Sequence, residues 1–150
     1  MEQYDGSLAD RVWQRVRGES GGEPPKPGLR ALAAAEAREA AILRMLSGQI
    51  QGQDRTLLRD MAEAEQNHAA CLGGIHFFTT GTQPGLRQIS VPAEAPETAL
   101  RKCYGRKLRA LREYESRISD PEYGHVFAEL ARQERRHCAV ILEIVGRRKR

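Results

Sequence analysis

Residues 58–75 read LRDMAEAEQNHAACLGGI and residues 127–144 read FAELARQERRHCAVILEI. Each holds a Glu-x-x-His, Glu65 to His68 in the first and Glu134 to His137 in the second, 69 residues apart. The same shift pairs Leu58 with Phe127, Met61 with Leu130, Leu72 with Ile141 and Ile75 with Ile144. Apolar residues at steps of three and four mark one face of a helix, so both stretches predict amphipathic helices with a glutamate and a histidine on the inner side. The chain has fifteen glutamates and four histidines. Chance alone gives well under one such tetrapeptide from that stock. Two of them, in register within matching frames, predict a repeated element carrying repeated chemistry.

The flanking chain also reads as helix. Residues 29–50, LRALAAAEAREAAILRMLSGQI, are rich in the strong helix formers Ala, Leu, Glu and Arg. Leu32, Glu36, Glu39, Leu43, Leu46 and Ile50 share one face, with two glutamates inside an otherwise apolar stripe. Gly48 to Gly52 predicts a short turn, and Asp54 a cap for a second helix that ends at Gly73-Gly74. Residues 75–98, broken by Gly and Pro, lack helical periodicity. A third helix is expected from near Glu97, with Leu100, Tyr104, Leu108, Leu111 and Ile118 as its apolar stripe. Asp120-Pro121 separates it from a fourth, which extends to about Val145 and stops at Gly146. Residues 1–28 predict a short amphipathic helix, with Leu8, Val12, Trp13 and Val16 on one side, followed by the turn-rich linker GGEPPKPG. The expected organisation is this N-terminal segment, a bundle over 29–146 and a basic tail, RRKR, at 147–150.

Composition bounds the function. At 150 residues, 40% apolar and 29% charged, the chain has the size and mix of a single globular domain. No apolar run approaches the roughly 18 residues of a membrane span. The N-terminus lacks a secretory pattern, and Cys71, Cys103 and Cys138 form no close pair, which predicts a reducing, cytoplasmic setting. The same cysteine usage excludes a rubredoxin-type iron site and a zinc ribbon. The formal net charge of +4 is matched by the tail alone, and aromatics are 5%. The tail therefore reads as a solvated helix end, and nucleic acid is not an expected partner.

Short turns make the first and second helices, and the third and fourth, antiparallel neighbours. The long link between the pairs can cross the length of the bundle, which is the ferritin-like arrangement of an all-α four-helix bundle. Glu and His at i and i+3 are surface neighbours able to hold one cation together, and burial makes such carboxylates costly unless something positive compensates them. Iron and manganese accept mixed oxygen and imidazole ligands. The plainer alternative pairs Glu65 and Glu134 with arginines of neighbouring helices.

With these two motifs the chain resembles the rubrerythrin and bacterial ferritin-like di-iron-carboxylate family over roughly Leu29 to Val145. The resemblance implies a core metal site in which the second and fourth helices each give a Glu-x-x-His and the first and third each give a Glu. Carried over by motif, Glu65 with His68 and Glu134 with His137 are metal ligands. Glu36 is the preferred first-helix ligand, since it and Glu65 lie at similar heights about the short turn, with Glu39, one turn nearer the loop, as its alternative. Implied with them are one or two iron or manganese ions without haem or nucleotide. The implied activity is a non-haem oxidoreductase acting on peroxide or dioxygen, with an external electron donor and room for a homodimer. A metal sensor or store without turnover, and a metal-free interaction bundle, are the alternatives.

The third helix departs from that pattern. Glu134 lies about 20 Å from the turn near Asp120 at 1.5 Å per residue, which places its opposite number near Tyr104 to Leu108. The stretch CYGRKLRALR (103–112) holds no carboxylate. Two readings follow. The site has a reduced complement, with fewer metals or with water completing the shell, or Lys107 points inward and supplies positive charge in place of a metal. The plainer alternative to the second has Lys107 extended to solvent along a basic helix face.

Overall fold

The computed structural model describes residues 28–149 apart from Gln88, so the expected N-terminal helix and most of its linker lie outside the described residues. Among the described residues there is no strand. Four helices follow in order: α1 (Leu29–Gln49), α2 (Gln53–Thr80), α3 (Pro96–Glu115) and α4 (Gly124–Arg148). Arg55 joins the first pair tightly, its Nε donating to the carbonyls of Ser47 and Ile50 at 2.9 Å each. Those carbonyls lie at the C-terminal end of α1, where helical partners run out.

Helix directions follow from two apolar clusters. At one end of the bundle Leu32 of α1 meets Leu72 of α2, Tyr114 of α3, and Phe127 and Leu130 of α4. At the other, Leu46 and Ile50 meet Leu58, Leu100 and Ile144. Hence α1 and α4 run one way, and α2 and α3 the other. Residues 81–95 carry the chain back along the bundle, and Val91 packs against the far cluster. Between the clusters lies a layer of buried polar side chains, Glu36, Glu39, Glu65, His68, Lys107, Glu134 and His137.

The structure corrects several sequence expectations. Helix α2 does not stop at Gly73-Gly74 but continues to Thr80. A Cβ on Gly73 would come within 3.2 Å of the Pro84 ring, so this glycine makes room for the returning link rather than ending the helix. The inner face of α3 is turned from the expected stripe. It buries Ala99, Leu100, Cys103, Lys107 and Tyr114, while Ile118 lies beyond the helix and is 45% exposed. Tyr104 and Leu108 are only half-buried.

Helix α4 begins at Gly124, three residues later than Pro121. Asp120 caps the turn before it, its Oδ1 accepting from the backbone N–H of Glu122 at 2.9 Å and of Tyr123 at 2.7 Å. Arg147 and Arg148 do not leave the helix after Gly146. Helix α4 runs on to Arg148, Arg147 pairs with Asp54 of α2 at 2.6 Å, and Arg148 pairs with Glu97 of α3 at 2.9 Å.

Candidate metal centre

The polar layer is built from inward positions on all four helices. The repeat holds: Glu65 and Glu134 are fully buried, and His68 and His137 nearly so. Their apolar frame-mates Leu58, Met61, Leu72 and Ile75, and Phe127, Leu130, Ile141 and Ile144, are buried too. Glu36, on the inner face of α1, completes the group. Glu36, Glu65, His68 and Glu134 each offer one donor atom, and the four atoms lie within 4.8 Å of one another. Donors on opposite sides of an ion at about 2.1 Å stand about 4.2 Å apart, so with a small inward adjustment the four could hold one cation.

Their hydrogen bonding is incomplete. Glu36 Oε2, Glu65 Oε2, His68 Nδ1 and both oxygens of Glu134 are buried without a hydrogen-bond partner. His68 Nδ1 lies 3.2 Å from Glu134 Oε1, 3.6 Å from Glu65 Oε2 and 3.7 Å from Glu36 Oε2, a convergence of acceptors on one point. Buried polar atoms are normally paired, and one left unpaired costs about 1–3 kcal/mol, more when charged. Orphaned acceptors gathered in this way are relieved together by a single cation.

The surroundings orient these donors. Tyr114 donates its hydroxyl to Glu36 Oε1, which leaves Oε2 for the centre. Gln133 donates to Glu129 at 3.0 Å, fixing its amide so that the carbonyl oxygen faces His68 Nε2 at 2.6 Å. Nε2 therefore carries the proton in the neutral ring, and Nδ1 keeps a free lone pair. The sequence pattern singled out neither Tyr114 nor Gln133 for the site. For Tyr114 a signal exists, since it stands seven residues after Lys107, two turns along the same face.

Lys107 answers the question posed by the third helix. It is 1% exposed, its ammonium bonds Glu65 Oε1 and it lies 3.2 Å from Glu134 Oε2. Lys107 therefore points inward rather than to solvent. His137 stands outside the set of four, its Nδ1–H donating to Glu65 Oε1 at 2.8 Å.

Of the two first-helix glutamates, Glu36 joins the cluster and Glu39 does not. Glu39 accepts from Cys103 Sγ at 3.1 Å and pairs with Arg106. Glu115 is at the surface with Arg135, 2.9 Å away. Cys71, one turn beyond His68, is exposed and so lies off the inner face.

Electrostatics separates the ionisable groups. Burial opposes ionisation of Glu65, but hydrogen bonds from His137 and His68 and the charge of Lys107 outweigh it and hold the carboxyl well below its usual range. Burial dominates at Glu134 and raises its pKa. Burial also works against the His68 cation, yet the Glu134 and Glu65 carboxylates prevail and push the imidazole up to about 10. At His137 burial wins and lowers the value. Burial would likewise lower Lys107, but Glu134 and Glu65 raise it and keep it charged.

A cavity of about 470 Å³ between α1 and α3 reaches the centre, with Glu36, Lys107, Tyr114 and Glu134 on its wall and Arg38 and Arg109 also lining it. Comparison with known proteins finds no matching family model, no matching curated protein and no matching solved structure.

Proposed function

We propose that this protein is a metal-binding four-helix bundle of the ferritin-like kind, with Glu36, Glu65, His68 and Glu134 holding an iron or manganese ion. The observation that carries the reading is the convergence within 4.8 Å of donor atoms from four buried side chains, five of whose atoms make no hydrogen bond. The donor set is mostly carboxylate with one imidazole, which suits a hard to borderline divalent ion. The metal-free reading has Lys107 and Tyr114 in its favour, since they satisfy one oxygen each of Glu65 and Glu36. It leaves Glu134 Oε1, Glu65 Oε2 and Glu36 Oε2 to the His68 ring alone, at 3.2, 3.6 and 3.7 Å.

A bound iron or manganese ion would supply Lewis acidity and one-electron redox chemistry toward peroxide or dioxygen. The chain's own residues do the rest. Tyr114 orients Glu36, Gln133 holds the His68 ring in the tautomer that frees Nδ1, and Lys107 holds a proton beside the centre at Nζ. The α1–α3 cavity lets a small molecule reach that position. An oxidoreductase acting on peroxide or dioxygen with a separate electron donor is the finer form of this proposal, and storage or sensing without turnover is the coarser one.

The test is elemental analysis of protein loaded anaerobically with Fe²⁺ or Mn²⁺ and passed through a desalting column. Wild type is expected to retain metal. Glu36→Ala combined with His68→Ala, which leaves the Lys107 ion pairs in place, is expected to lose it while keeping its helical circular dichroism. Folded wild type that retains neither ion would sink the reading. Peroxide consumption by the loaded protein then separates turnover from storage.

A further inference from the structure

The polar layer has two halves, and two carboxylates span them. On one side, Glu65 Oε2 and Glu134 Oε1 face His68 Nδ1 at 3.6 and 3.2 Å. On the other, Glu65 Oε1 takes the Lys107 ammonium and the His137 Nδ1–H, and Glu134 Oε2 lies 3.2 Å from Lys107 Nζ. Each of these glutamates thus turns one oxygen to each half, as a carboxylate does when it bridges two cations.

We propose that the centre is built for two cations of different kinds, a single metal ion in the His68 half and the Lys107 ammonium, held covalently by the chain, in the His137 half. The inference rests on the metal-binding reading above and fixes its stoichiometry at one. Lys107 occupies the stretch of α3 that lies level with Glu134, and it brings a positive charge there instead of a carboxylate ligand.

Formal charge supports the assignment. Glu36, Glu65 and Glu134 carry three negative charges when ionised. One ammonium and one divalent ion balance them, with His68 neutral and ligating through Nδ1. Two divalent ions beside the ammonium would leave two positive charges in excess within a fully buried layer, a state that burial penalises heavily. Space agrees with charge, because Nζ already lies in bonding contact with Glu65 Oε1. A second ion between Glu65, Glu134 and His137 would have to displace it. The chemistry open to the centre is then that of one ion with an ammonium donor beside it, joined through shared carboxylates.

The experiment counts ions. Wild type, Lys107→Glu and Lys107→Ala are loaded anaerobically with Mn²⁺, desalted and analysed for manganese per chain, with folding checked by circular dichroism. Wild type is expected to hold about one ion. Lys107→Glu is expected to hold about two, since four carboxylates balance two divalent ions and His137 Nδ1 is freed to ligate. Lys107→Ala opens the same position with one ligand fewer and is expected to take a second, weaker ion, so it decides the matter if the glutamate variant does not fold. Two ions in wild type would overturn the Lys107 assignment and leave the metal reading standing, as would one ion in both folded variants. No ion in folded wild type would overturn the metal reading itself, and the stoichiometry with it.

Discussion

The proposed metal centre depends on side chains that would touch no cation themselves. Tyr114 is one: it is buried, and its hydroxyl holds one oxygen of Glu36 so that the other faces His68. Loss of such an orienting bond typically lowers metal affinity by about 10–100-fold. Tyr114→Phe is therefore expected to weaken manganese binding by about tenfold in a calorimetric titration while the stoichiometry is kept.

His68 gives a pH signature in the metal-free protein. Its folded value of about 10 stands above its ordinary 6.5, so folding takes up a proton between those limits. The stabilisation is fully present below pH 6.5 and fades as pH rises through about 10. Urea midpoints of chelator-treated protein should fall over that window, and His68→Gln should flatten the fall. Metal uptake should run the opposite way, tightening as pH rises, because the ion displaces that proton.

Among the elements, the α3–α4 turn is tightly constrained at Gly124. A Cβ on Gly124 would lie 2.2 Å from the Ile118 carbonyl oxygen, a contact that only a backbone shift can relieve. Gly124→Ala is expected to cost about 1–3 kcal/mol, as forced overpacking does, read as a lower urea midpoint at unchanged slope. The element whose register was hardest to read is α3, because its sequence offers two competing stripes. The stripe through Tyr104, Leu108 and Leu111 is the more apolar, yet the bundle buries Cys103, Lys107 and Tyr114 instead. The reason is electrostatic: the inner face of α3 must meet the buried glutamates of the other helices, and a lysine and a tyrosine hydroxyl serve those acids better than leucine.

For the whole molecule, two apolar clusters enclose one charged layer. The clusters supply the folding free energy and the layer detracts from it until its charges are balanced. A ligand that binds only the folded state stabilises by about 2.7 kcal/mol at a hundred times its dissociation constant. For a chain of this length that corresponds to about 5–10 °C in the melting temperature. Manganese should raise the melting temperature of wild type by that amount, a chelator should reverse it, and Glu36→Ala with His68→Ala should show neither effect.

By itself the sequence determined the four helices, their pairing into two hairpins and the buried positions of Glu36, Glu65, His68, Glu134 and His137. Those features live in local periodicity, in turn residues and in the 69-residue repeat, and each is carried by short stretches of chain. Three matters were decided only in three dimensions. The choice of Glu36 over Glu39 turned on Arg106 and Cys103 lying across from Glu39. The inward aim of Lys107 turned on two carboxylates brought from helices far apart in the chain. The extension of α2 past its glycines turned on a proline packing against Gly73. Each depends on a partner on another element, and charge or contact between separate elements leaves no mark on the periodicity of either one.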